Sequence, residues 1–177
     1  MSCLLTSGFD FSDTCKGTGG IKRILITNKS NVASFTEGTV GTPAVNTGEI
    51  TGITMESLKV WYEFVPYKWT GSYKDEESSA NAATIYTCAI EMNLPKNSVA
   101  LRNQILILGQ GVFYCIVEDQ NGNYFLLGRI NGLDMTTGTG GSGVAGTDAN
   151  GWIVTMTGAE PQPAYGVDPD IIAALLV

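Results

Sequence analysis

The chain has 177 residues with 22 glycines, ten Lys and Arg against seventeen Asp and Glu, and no histidine. One domain of this length buries enough surface to fold without a metal or disulfide. The composition excludes a Ser-His-Asp triad, a Cys-His dyad, a His-ligated metal and a basic nucleic-acid footprint.

Residues 1–20, rich in Gly, Ser, Asp and Thr, read as an irregular N-terminal arm. Ile21–Thr27 is a first strand by its β-branched content. Residues 28–48 hold few large apolar groups and read as a long loop or loosely paired hairpin, and 29–57 as one extended segment. Glu49–Met55 alternates around a bulge expected at Gly52, and Leu58–Val65 is a strand ended by Pro66. The stretch 67–73 alternates like a half-exposed strand, Asp75–Ser79 reads as a solvated turn, and Thr84–Met92 as a strand. Asn97 or Ser98 caps a helix whose apolar residues Val99, Leu101, Ile105 and Leu108 recur near 3.6 spacing, stopped by Gly109 or Gly111. Val112–Glu118 and Tyr124–Ile130 flank an Asn-Gly hairpin turn, and Asn131-Gly132 makes a second turn. Residues 136–148 read as a flexible low-complexity loop and Trp152–Thr157 as the last strand. The segment 158–177 reads as a C-terminal arm, with Asp168 and Asp170 placed to cap a helical turn over Ile171–Leu176. About seven strands, one helix and no βαβ alternation predict a mainly β, mostly antiparallel single domain over 1–177.

No letter pattern carries chemistry here. Gly138-x-Gly140-x-x-Gly143 matches a dinucleotide fingerprint but lacks a following helix. Asp119-x-Asn121-x-Asn123 starts like a calcium loop, with Tyr124 and Ile130 where Gly and Glu are needed. No carboxylate pair has the spacing that selects it for catalysis. No enzyme activity, cofactor or metal is expected. Trp61, Trp69 and Trp152 could stack on sugars or bases, and a carbohydrate-binding module would use Trp61, Trp69 or Tyr73 as its platform, although packing is the commoner role of such side chains. Cys3, Cys15, Cys88 and Cys115 have no CxxC spacing and read as free thiols of a cytosolically made protein, since the N-terminus lacks the pattern of a signal peptide. No apolar run is long enough for a membrane-spanning helix.

Charge is uneven: residues 1–116 carry a net of −1 and residues 117–177 a net of −6, with Arg129 the last base. Asp134, Asp148, Glu160, Asp168 and Asp170 are therefore candidates to face a channel or a partner. Low charge with many β-branched and aromatic residues also marks subunit interfaces. Phe35, Ile50, Ile53, Met55, Trp69 and Tyr73 are the candidate interface residues.

The run LPKNSVALRNQILILGQGVFYCIVEDQNGNYFLLGRINGLD (94–134) resembles structural proteins of tailed phages that infect Bacteroidetes, including crAss-like phages. The ending TDANGWIVTMTGAEPQPAYGVDPDIIAALL (147–176) and the start CLLTSGFDFSDTCKGTGGIKRILITN (3–28) continue the likeness, and 29–93 is least distinctive. The resemblance implies a tail-tube or neck-ring protein. It implies an antiparallel β-sandwich or partial barrel flanked by one short helix, with residues 29–57 as a loop reaching a neighbouring ring. It further implies hexameric or dodecameric self-assembly, contact with other tail and neck proteins, and DNA passing without specific binding. Such a protein resides in the virion tail or neck after synthesis in the host cytoplasm, without a membrane partner. A head-decoration or fibre-anchor protein, the tube of a contractile injection system, and a carbohydrate-binding module are the alternatives.

Overall fold

A computed structural model describes residues 17–40, 45–80, 83–145, 148 and 150–176. The N-terminal arm up to residue 16, with Cys3 and Cys15, lies outside the described residues. The protein is mainly β, with two short helices. Its strands are Ile21–Asn28 (β1), Val32–Val40 (β2), Val45–Met55 (β3), Tyr62–Phe64 (β4), Ser72–Ala80 (β5), Ala83–Pro95 (β6), Val112–Asp119 (β7), Tyr124–Leu127 (β8), Leu133–Gly141 (β9), Gly151–Glu160 (β10) and Tyr165–Val167 (β11). The helices are Val99–Leu108 (α1) and Pro169–Leu175 (α2).

The strands join in the order β2-β3-β11-β8-β7-β9-β10-β6-β5, with β1 lying between β7 and β4. Every pairing is antiparallel except β3 with β11, which meet at Glu49 and Ile50. The expected antiparallel sheet thus carries one parallel junction. It arises because the chain, after β10, returns to the far side of β8 and lays β11 between β8 and the earlier strand β3.

Strands β1 and β7 are near-continuous apolar runs and are buried on both faces, as an alternating strand could not be. One face, with Ile24, Ile26, Cys115 and Val117, packs on Ile90 and Met92 of β6, Val154 and Met156 of β10, and Ile105 and Leu108 of α1. The opposite face, with Leu25 and Ile116, packs on Ile50, Trp61, Val167 and Ile172. Ser98 caps α1 by accepting the Leu101 N–H, and Asp168 caps α2 by accepting the Asp170 N–H. Cys88 and Cys115 are buried free thiols, and burial, aided by Asp75, pushes Cys88 up to about 12.

The sheet turns a corner at residues 128–133, where β9 leaves β7 after pairing only Leu133 and Asp134. Gly128 and Gly132 adopt positive φ of 75° and 86° there. Glu160, only 4% exposed, accepts the Ile130 and Asn131 N–H groups at 3.1 and 2.7 Å and pins the turn.

Some boundaries differ from the sequence expectation. The strand expected over 58–65 shrinks to Tyr62–Phe64, and 67–71 forms a turn. Asp75–Ser79 lies inside β5, held by its ladder to β6 rather than by its own propensity. The expected loop 136–148 is strand as far as Gly141, so the dinucleotide-like glycines sit on β9 and its turn. Much of the expected loop 28–48 is the β2–β3 hairpin, with a register shift opposite Gly52.

A buried carboxylate cluster ties β1 to β7. Glu118 accepts from Lys22 at 2.5 Å and from Arg23, which also reaches Glu63 and the Tyr124 hydroxyl. Burial alone would raise the Glu118 pKa, but the bonds from Lys22, Arg23 and Tyr124 together hold it below the usual value. Asp119 behaves alike: burial is outweighed by the side chains and N–H groups of Asn123 and Asn121. Both groups bind protons less readily folded than unfolded. Their stabilisation is therefore present above the unfolded carboxylate pKa of about 4 and is lost as pH falls through the folded values. The thermal midpoint is expected to stay level from neutral pH to about 5 and to drop below about 4. Glu118→Gln should lower the midpoint at neutral pH and flatten the acid decline. A midpoint unchanged down to strong acid in the parent protein would count against this cluster.

Candidate functional site: the open face of the β5–β6–β10–β9 sheet

Strands β5, β6, β10 and β9 form a four-stranded antiparallel unit with one face on the core. Cys88, Ile90 and Met92 point inward from β6, and Val154 and Met156 from β10. Strand alternation places their sequence neighbours on the opposite face. Register then aligns Ser72, Lys74 and Glu76 of β5 with Glu91, Ala89 and Thr87 of β6, in that order. Beyond β6 the same face continues with Thr155 and Thr157 of β10, then Thr139, Thr137 and Asp134 of β9. Among the described residues this face is rich in serine and threonine and carries Glu76, Glu91 and Asp134 against one base, Lys74. Lys74 is already engaged by Glu76 at 2.8 Å, so the face is net acidic. Glu91 lies in mid-sheet, between Ser72 and Thr155.

Among the described residues both outer edges of this unit are open. Strand β5 pairs there only with β6. Strand β9 pairs with β7 at Leu133 and Asp134 only, which leaves one edge of residues 135–141 unpaired. That edge reads Met-Thr-Thr-Gly-Thr-Gly-Gly and lacks the lysines or prolines that blunt exposed edges in monomers.

The predicted acids separate. Asp134 is exposed on the open face. Asp148 sits at the tip between β9 and β10, where its carboxylate accepts the Val144 and Ala145 N–H groups and its pKa is lowered by them. Asp168 caps α2 and Asp170 lies in the first turn of that helix. Glu160 must be corrected: it is a buried turn-pinning group and faces no partner. Its position was unreadable because acids late in a sequence are ordinarily solvated. Glu76 and Glu91 were missed; strand alternation from Cys88 and Ile90 could have found Glu91.

The predicted interface residues also separate. Ile50 is fully buried in the core, which corrects its assignment to a subunit contact. Its parallel pairing with β11, more than a hundred residues away, encloses it. Phe35, Ile53 and Met55 pack partly against the same cluster, Phe35 edge-on to Tyr114 at 5.1 Å. Tyr73 packs on the other cluster and lies beside Phe125. Trp69 alone is largely open, at 56% exposure. Burial takes Trp61 out of any sugar platform, its indole N–H pointing at the Met55 sulfur, while Trp69 stays exposed.

Asp119 spends its carboxylate on the hairpin turn, bonding Asn121 and Asn123 rather than a cation. Among the described residues no group of three His, Cys, Asp or Glu could hold a metal. No helix among them is long and apolar enough to cross a membrane. Arg129 is paired with Glu37 and lies 4.4 Å over the Tyr165 ring, tying the β2–β3 hairpin to the sheet.

In comparisons with protein-family models, curated proteins and solved structures, nothing matches this chain.

Proposed function

We propose that the protein is a non-enzymatic virion subunit that closes into a ring or stacked tube, with the open β5–β6–β10–β9 face lining a channel for DNA. The observation that carries this reading is an acidic, threonine-rich sheet face bounded by two unpaired edges. Four antiparallel strands leave β5 and β9 running in opposite directions. When copies are related by rotation about an axis along the strands, β9 of one pairs antiparallel with β5 of the next. The open face then stays on one side all the way round. Barrel closure staggers such pairings, and closure removes the edges. Pairing β5 with β5 would oppose Asp75, Glu76 and Glu77 with their own copies. Its partners are then further copies of itself and the neighbouring tail or neck proteins, and DNA passes without sequence contacts.

Negative-stain electron microscopy across a concentration series should show rings or tubes with a central hole, sixfold or twelvefold. Amide hydrogen exchange should slow at least about tenfold in Met135–Gly141 and Ser72–Glu76 on assembly, while β6 and β10 change little. Small particles at every concentration, with neither edge gaining protection, would overturn the proposal. Two-copy particles protected at β9 alone would replace the ring by a β9–β9 dimer.

A further inference from the structure

Among the described residues, three other than glycine hold a left-handed backbone: Leu58 at φ 62°, Trp69 at φ 64° and Lys96 at φ 66°. The first two flank β4. Bulky side chains disfavour this region, and such strain gathers at functional sites. Leu58 is 99% exposed and Trp69 is more than half exposed, so neither is rewarded by packing within the subunit. Tyr62, Val65 and Tyr67 between them are also exposed. Among the described residues strand β4 pairs only with β1, which leaves its outer edge open. Lys59 and Lys68 stand at the ends of this strip without an ion-pair partner among the described residues, Lys68 lying 5.6 Å over the Trp69 ring. Glu63 is taken by Arg23. The β4 flank is thus aromatic and basic in a chain of net charge −7.

A complementary element exists in the same chain. The β6 ladder to β10 ends at Tyr86 and Glu160, so the β5–β6 hairpin beyond Glu77 has no third strand. Two strands alone are marginal in water. Its described residues are exposed apart from the half-buried Tyr86, and include Ile85 at 49%. Lys74 engages Glu76, while Glu77 has no ion-pair partner among the described residues.

We propose that this acidic arm docks on the β4 flank of a second copy, with Glu77 meeting Lys59 or Lys68 and the arm's apolar side chains covering the exposed aromatics. The contact rests on the ring-or-tube reading for its second copy. Charge complementarity selects that occupant: the flank offers two unpaired cations, and the arm offers an unpaired acid on an unsupported hairpin.

The test mixes isotopically light and heavy full-length protein before assembly and applies a zero-length carbodiimide. Light–heavy cross-links from Lys59 or Lys68 to Glu77 are expected. They vanish in the Lys59→Glu/Lys68→Glu variant, which lacks the amines to be coupled, so the deciding result is their return with the roles of amine and carboxylate exchanged when Glu77→Lys is added. Rings or tubes by microscopy without light–heavy cross-links would overturn this contact and leave the ring reading standing. Cross-links without rings would keep the contact and overturn the ring. Small particles without cross-links would overturn both.

Discussion

Gly158→Ala is expected to cost about 3 kcal/mol of folding stability, and Gly158→Val more, which is a large share of the 5–15 kcal/mol that holds a typical domain. A Cβ at Gly158 would lie 2.3 Å from the Gly132 carbonyl oxygen and 3.4 Å from the Leu133 Cα. Both obstacles are backbone, so no side-chain rotation relieves the clash. The backbone cannot yield easily, because Gly132 is held by its N–H bond to the Gly128 oxygen at 2.8 Å and the turn is pinned by Glu160. Strand β10 must therefore separate from the 128–133 corner or the corner must unfold. The same corner feeds β9, so partial opening should also weaken assembly. Gly19→Ala is the matched control, since nothing lies within 4 Å of its added Cβ. Denaturant unfolding of the two variants measures the contrast. Equal stability in both would mean that β10 does not cross the corner at this distance.

Parts of this fold are legible in the sequence for a simple reason. Strands whose side chains face a core alternate or run apolar, so Ile21–Thr27, Thr84–Met92 and Val112–Glu118 are readable, and Ser98 announces α1. Strands that exist through pairing alone are not readable. Ser-Tyr-Lys-Asp-Glu-Glu-Ser-Ser-Ala has the composition of a turn, and Thr-Thr-Gly-Thr-Gly-Gly that of a linker. Each becomes a strand because a long neighbour supplies the hydrogen bonds, β6 for the first and β10 for the second. These two poorly predicted strands also bound the candidate face, so its edges were hidden from the sequence. The fate of single residues was hidden by the same non-local logic. Trp61 and Trp69 look alike in sequence, yet the Trp61 N–H bonds the Leu175 oxygen near the C-terminus and its ring is buried, while Trp69 lies in an open turn. The ring expected from sequence did not indicate which strands would carry the join.

The two open edges and the acid placement support one another. An edge left uncharged at β9 is a hazard to a free monomer, because it templates pairing with any strand. A subunit that closes on its own copies turns that hazard into the join. The acids are then informative by their side of the sheet: Glu91 and Asp134 project exposed from the face away from the core, where none of the described elements covers them.

Reversing those acids is expected to change how assembled particles treat DNA. A lumen that presents carboxylates to phosphates gains nothing from binding, so DNA slides through. In Glu76→Lys/Glu91→Lys/Asp134→Lys, every subunit would add three cations, and Lys74 would lose its partner and become a fourth. A ring offers many such positions along the passing strand. Binding that neutralises roughly 6–10 phosphates weakens by about a thousandfold to a hundred-thousandfold as salt rises from 50 to 200 mM. The parent particle should therefore show no measurable DNA retention across that range. The variant should hold short duplexes tightly at low salt and release them steeply as salt rises. The substitutions are exposed and lie away from the core, so folding should be kept, and rings by microscopy would confirm it. A second variant, with Asn103, Gln104 and Val99 on the exposed side of α1 changed to lysine, adds as many cations away from the lumen, although it shifts the charge of each subunit by three units where the first shifts it by six. Retention in both variants alike would mean that DNA binds the outside and that the open sheet face is not the channel wall.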